Sequence, residues 1–152
     1  MKPLIYSVLA ALLLSAGAAQ AELQWLTDFK KAQEEAKANN KPLLIEFTGS
    51  DWCPPCRMFQ KEVLSSHEFE QFAAKNFILL EIDFPRGKQQ SAELAQQNQT
   101  LAQRFGIEGF PSIILLNAEG KELGAMVGYD PRLGWQGYID SLEKMRKGLN
   151  GK

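Results

Sequence analysis

Apolar and polar positions along this chain fall into short blocks whose period switches repeatedly between that of a strand and that of a helix. The runs LLIEFT at 43–48, FILLEID at 77–83 and SIILL at 112–116 are nearly continuous apolar segments of strand length, the pattern of strands buried on both faces. A fourth run at 121–127 is less apolar and partly alternating. NAEG at 117–120 predicts a hairpin turn before it, which makes the last two strands an edge pair. Phe29, Ala32 and Ala36 mark one face of a helix over 28–39, with Thr27 as its cap and Asn39, Asn40 and Pro42 as its end. A second helix opens at Pro54 or Pro55 and closes near Ser65, since proline is tolerated in a first turn where its missing N–H has no partner to lose. Met58, Phe59, Val63 and Leu64 are its apolar positions. Ser66 caps a short helix with Phe69 and Phe72 inward, and 91–104 is a polar helix with a narrow stripe of Leu94, Leu101 and Phe105. The final helix, 131–146, carries Trp135, Tyr138, Ile139, Leu142 and Met145 at the spacing of a core-facing stripe.

The resulting order, α, β, α, α, β, α, β, β, α, predicts an α/β fold: a mixed sheet covered by helices on both faces, with one antiparallel pair at its side. The 152 residues suit one domain with one core. Seventeen Lys and Arg against 18 Asp and Glu leave no broad positive field, which argues against nucleic acid as a partner. Arg86 and Lys88 read as solvated loop cations.

The first residues change the picture of where the chain works. Lys2, an apolar run centred on 8–14 and the small residues closing at Ala19, Gln20 and Ala21 have the order of a secretory signal peptide over 1–21. The folded domain is then 22–152. The apolar run is short for a bilayer span, so no stable membrane insertion is expected after cleavage, and the location is periplasmic or secreted. A monomer is expected.

Both cysteines lie in SDWCPPCR, at 53 and 56. Outside the reducing cytosol such a pair can persist as a disulfide. As a purely structural bridge it would close a very small loop and remove little unfolded-state entropy. Zinc would require two further ligands, and His67 is the sole histidine. Haem attachment is disfavoured because Arg57 follows Cys56 where a histidine is needed. No metal or cofactor is therefore expected. A redox pair fits best: Cys53 stands between a strand end and a helix start, where unpaired N–H groups and the helix dipole favour a negative sulfur. Cys56 comes nearly one helical turn later, as the less exposed resolving thiol. Cys53 would attack a partner disulfide, and Cys56 would then displace the captured sulfur.

Two other positions stand out. Glu46 interrupts an apolar strand, so it is either a surface position or a buried acid with a raised pKa; the buried reading lets it exchange protons with Cys56. Pro111 begins a strand, and on base rates its preceding bond is trans.

Taken together, LLIEFTGSDWCPPCR, ILLEID, FGIEGFPSIILLNAEGKEL and MVGY resemble the thioredoxin superfamily over about 25–145. Within it, the chain is most similar to exported thioredoxin-like domains such as the C-terminal periplasmic domain of the membrane thiol:disulfide interchange protein. The resemblance implies a thioredoxin-like three-layer α/β/α sandwich with a mixed central sheet and a thiol:disulfide oxidoreductase. It makes Cys53 the attacking and Cys56 the resolving thiol, puts Trp52, Pro54 and Pro55 in the active-site loop, and sets Pro111 at the family's cis-proline. Phe110 is then the residue whose backbone pairs with an extended substrate segment. Glu46 falls near the family's buried aspartate, one residue further from the cysteines, while the family's lysine partner is replaced by the apolar 78–80. The implied partners are a client protein bearing a disulfide or dithiol and an upstream thiol electron donor. Reduction is the favoured direction, on the resemblance alone; an oxidase or isomerase of the same fold, or a non-catalytic binding protein or chaperone, are the alternatives. The long segment 84–104 either shapes partner choice or decorates the surface.

Overall fold

The computed structural model describes residues 23–148. The leader expected over 1–21 lies outside the described residues. The chain opens with a two-residue strand, β1 (Trp25–Leu26), which is too short for periodicity to announce. Helix α1 (Phe29–Asn39) follows, capped by Asp28 rather than Thr27: the Asp28 carboxylate accepts the Lys31 N–H at 2.8 Å. Asn40 ends it in the left-handed region, at φ 49°, with its N–H turned back to the Ala36 and Lys37 carbonyls.

Strand β2 (Leu43–Thr48) leads into helix α2 (Pro54–Phe59), which starts at the first proline as its sequence requires. The single helix expected to Ser65 is not uniform: after Phe59 it widens into a π-helical turn over Gln60–Leu64. Helix α3 (His67–Asn76) is capped by Ser66, and β3 (Ile78–Asp83) returns to the sheet. Helix α4 (Ala92–Arg104) takes Ser91 as cap, and the hairpin β4 (Ser112–Leu116) and β5 (Glu122–Val127) completes the sheet. Helix α5 (Gly134–Arg146) begins three residues later than its pattern suggests. Asp130 holds the intervening turn, its carboxylate accepting the Arg132 N–H at 3.0 Å and its carbonyl the Leu133 N–H at 3.2 Å.

The sheet order is β1-β3-β2-β4-β5, with β1, β3 and β2 parallel and β4 and β5 antiparallel additions. This is the expected mixed sheet with its hairpin at one side. Strand alternation then sorts the interior into two cores. Leu44, Leu79, Ile113 and Leu115 face α2, the π turn, α3 and α5, meeting Phe59, Val63, Phe69, Tyr138 and Leu142. Leu43, Ile45, Phe47, Leu80 and Ile82 face the opposite way, against Ala32 and Ala36 of α1 and Leu101 of α4.

Helix α4 shows why so polar a sequence still docks. Asn98 is buried and donates to the Asp83 carbonyl at 2.9 Å. Gln97 accepts the Phe29 N–H and donates to the Thr27 carbonyl, both at 2.9 Å, so it fixes the start of α1. Hydrogen bonds made by amides do here what a wider apolar stripe does elsewhere.

Candidate active site

Cys53 and Cys56 are joined by a disulfide, with their Cα atoms 5.3 Å apart. The bond closes the first turn of α2 at the carboxyl end of β2, the central strand. Cys53 is the N-cap residue: its backbone is extended, and its sulfur faces the Cys56 N–H at 3.3 Å. A donor aimed at that sulfur stabilises negative charge on it once the bond opens. The two prolines occupy the first helical positions and are exposed, as is Met58 beside them.

Cys56 is 1% exposed, in keeping with a resolving role, but Cys53 at 3% is not the open sulfur expected from the sequence. The oxidised bond draws it into the helix turn, and the residue before it is held down by its neighbours. The Trp52 indole donates to the Phe84 carbonyl at 2.7 Å and meets Phe110 edge-on at 5.9 Å. Phe84 and Phe110 are themselves 5.3 Å apart, so three aromatic rings lie together beside the disulfide. Gly49 permits this packing, because a Cβ there would sit 2.5 Å from Cε2 of the indole.

The Phe110–Pro111 bond is cis, as the resemblance implies and against the base rate. The Ser112 hydroxyl donates to the Gly109 carbonyl at 2.7 Å, and the Pro111 carbonyl accepts the Gly128 N–H at 2.8 Å, tying this turn to the end of β5.

Arg86 and Lys88 are exposed, but they are not merely solvated. The Arg86 guanidinium lies 3.8 Å from the centre of the Trp52 ring, and the Arg86 and Gly87 N–H groups donate to the Asp51 carboxylate at 3.1 and 2.6 Å. Those N–H groups hold the Asp51 carboxyl below its ordinary pKa. Ser50 donates through its N–H and its hydroxyl to Asp83, at 2.9 and 2.6 Å, and Lys88 donates to the same hydroxyl at 3.2 Å. The start of the long segment thus clamps the turn that carries the cysteines. Sequence reading missed this contact because it joins residues more than thirty positions apart through backbone donors, which leave no periodic trace.

Glu46 is buried, 1% exposed, on the face of β2 that lies beneath α2. Neither carboxyl oxygen has a hydrogen-bond partner among the described residues. Burial first, and then the negative charges of Glu81 and Asp83, push its pKa up to about 8. Glu81 stands directly opposite it on β3, and its own pKa is raised, mainly by burial and then by Asp83, with Lys88 opposing. A signal for this pair is present in the sequence: both acids are the fourth residue of their six-residue strands, LLIEFT and ILLEID. Below α2 a cleft of about 490 Å³ is lined by Thr48, Ser50, Cys56, Arg57, Lys61 and Glu81, among others.

Comparison with known proteins agrees with this geometry. A family model described as a thioredoxin-like domain matches residues 29–142. The chain is 38% identical over 129 residues to the disulfide bond reductase DsbH of Chlamydia pneumoniae, covering 85% of this chain and 76% of that protein. It is 36% identical over 99 residues to the thioredoxin-related protein DsbJ of the same organism, of which it spans only 28%. Among solved structures, a DsbH oxidoreductase superposes with a TM-score of 0.78 at 36% identity, covering 90% of this chain and 92% of the other. The oxidised C-terminal domain of Neisseria meningitidis DsbD, at 18% identity and a TM-score of 0.58 over 81% of this chain and all of that one, shares the fold.

Proposed function

The chain belongs to the thioredoxin-like family and is a thiol:disulfide oxidoreductase with a redox-active cysteine pair, and from that premise we propose that it works outside the cytoplasm as a reductase of protein disulfides. The observation that carries this reading is the Cys53–Cys56 bond at the start of α2, with the Cys56 N–H directed at the Cys53 sulfur. The name of the DsbH relative supports the reductive direction. The leader pattern at 1–21 supports export.

Cys53, as thiolate, attacks one sulfur of a client disulfide, and the client's other sulfur leaves with the electron pair. Cys56 then gives up its proton and attacks Cys53 in the mixed disulfide, which frees the reduced client and re-forms the bond seen here. Glu46 is the proton partner of Cys56: as carboxylate it takes the thiol proton, and as carboxylic acid it returns one when Cys56 leaves the disulfide. Trp52, Pro54, Pro55, Phe110 and Pro111 form the surface that receives the client, with the backbone of Phe110 pairing to an extended segment. A dithiol donor restores the reduced pair.

The test is a trapping experiment in the exporting cell. C56S is expected to accumulate mixed disulfides with client proteins, while C53S accumulates none and loses insulin-reducing activity. Equilibration of the pure protein with a glutathione buffer then gives the direction. A pair that stays reduced under conditions that oxidise the glutathione would exclude the reductase reading, since it could not pass its electrons on. Amino-terminal sequencing of the exported form is expected to begin at Glu22; an intact Met1 in the cytoplasm would remove the assigned location.

A further inference from the structure

We propose that Glu81 is the relay through which Glu46 exchanges its proton with solvent, by way of the cleft beside Cys56. The inference rests on the assignment of Glu46 as proton partner of Cys56 and adds a route to it. A buried acid that cycles its proton needs a path to water, and Glu46 has none of its own: it is 1% exposed and both oxygens lack a partner. Its neighbour across the parallel β2–β3 pair is Glu81, at a strand spacing of about 4.8 Å, with both side chains on the same face. Glu81 is half-buried and lines the cleft that Cys56 and Thr48 also line. The cleft, about 490 Å³, opens to solvent and is wide enough to hold water, with Thr48, Ser50, Arg57 and Lys61 as polar partners along its wall. One carboxyl therefore touches the buried interior and the next touches the solvent path.

The surroundings favour passage of a proton over a fixed ion pair. The groups of either sign around the two acids are Asp83 on β3, Lys88 beyond it, and Arg57 and Lys61 on the wall of the cleft, while β4 contributes only Ile113 opposite Glu46. Among the described residues no cation is hydrogen-bonded to Glu46, so burial favours its protonated, neutral form. When a dithiol donor attacks Cys53, the Cys53–Cys56 bond breaks and Cys56 departs with the electron pair. It takes the proton of Glu46, Glu46 takes one from Glu81 through a bridging water, since no hydrogen bond joins the two carboxyls in the oxidised protein, and Glu81 is reprotonated from water in the cleft. The second thiol of the donor then displaces Cys53, so the donor ends oxidised to its disulfide and the pair reduced. In client reduction the protons run the other way.

The experiment follows reduction of the Cys53–Cys56 bond by dithiothreitol from pH 5.5 to 10, with rates divided by the thiolate concentration of the reagent. Wild type, E46Q, E81Q and E81D are compared after each is shown to be folded by circular dichroism. Wild type is expected to lose rate as Glu46 loses its proton, and E46Q to lack that inflection. E81Q removes a negative neighbour of Glu46, so its inflection moves to lower pH by roughly a unit, and in a second assay, continuous turnover of insulin with excess dithiothreitol, its rate on the acid side falls because Glu46 must be reprotonated in every cycle. E81D, which keeps a carboxyl, restores most of the rate. An E81Q profile superimposable on wild type, with E46Q still lacking the inflection, would overturn the relay and leave Glu46 in place. An unchanged E46Q profile would remove both. A carbon-13 titration of the Glu46 carboxyl in E81Q gives a second reading, and an unmoved midpoint there also counts against the relay.

Discussion

The guanidinium of Arg86 lies 3.8 Å from the ring centre of Trp52, and this contact joins the long segment after β3 to the residue that precedes the first cysteine. Four further bonds from Phe84, Arg86, Gly87 and Lys88 reach the same turn. The start of the segment, residues 84–88, is therefore fastened to the turn that carries the cysteines, while α4 rests on the opposite core. R86A is expected to lower stability by about 0.5–1 kcal/mol, the usual range for an exposed cation over an aromatic face. It should also speed the reaction of Cys53 with small thiols, because a freer indole uncovers a sulfur that is almost hidden. Urea melts and stopped-flow reduction measure the two effects; an unchanged rate would detach the clamp from access.

Gly49 is set by space rather than by backbone angle. G49A places a methyl group 2.5 Å from the Trp52 indole, and the expected cost is about 1–3 kcal/mol from overpacking. In a W52A background the penalty should nearly vanish, since the atom it meets is gone. A double-mutant cycle on denaturation free energies checks the coupling.

Stability should fall with rising pH on account of Glu46. Its folded pKa of about 8 lies above its model-compound value of 4.5, so the native state holds a proton that the unfolded chain releases. The contribution is fully present below about pH 4.5 and is lost as pH climbs through about 8, with a slope of up to ~1.4 kcal/mol per unit. E46Q removes that slope. Its stability relative to wild type is expected to increase from pH 5 to pH 8.5 in parallel denaturant titrations; parallel curves would place the carboxylate in water.

Asn98 is the buried amide that fastens α4 to the end of β3. N98A removes one of the two donors to the Asp83 carbonyl, Gln90 keeping the other at 3.0 Å, and should cost about 0.5–1.5 kcal/mol. N98D would cost more, since a carboxylate brings no N–H to that oxygen. Thermal melts of the two variants rank the effects.

Much of this fold was legible because its period is written in apolar residues. The strands at 43–48, 78–83 and 112–116 are largely buried on both faces, so their runs are nearly continuous, and the cap at Ser66 follows from side-chain chemistry. What escaped the sequence depended on contacts between distant residues. β1 exists only through its pairing with β3, the π turn interrupts a helix without any breaker, and Asp51 finds its partners among main-chain N–H groups. In the site, Cys53 and Cys56 were readable from residue type and position, whereas Glu46 left two alternatives that only the packing of β2 beneath α2 decides. The hiding of Cys53 was not, since it accompanies the closed disulfide in the first turn of α2, next to a Trp52 held by a loop whose residues look solvated.

The central sheet divides the interior into two cores that share strands but not side chains. Thiol chemistry occurs above one of them, while α1 and α4 rest on the other. A lineage can therefore lengthen, repack or recharge the outer pair of helices and alter only what the molecule looks like from behind. The redox face is insulated from such drift by a layer of hydrogen-bonded backbone one strand thick, except where the chain leaving β3 and the segment before β4 reach across to it through Phe84 and Phe110.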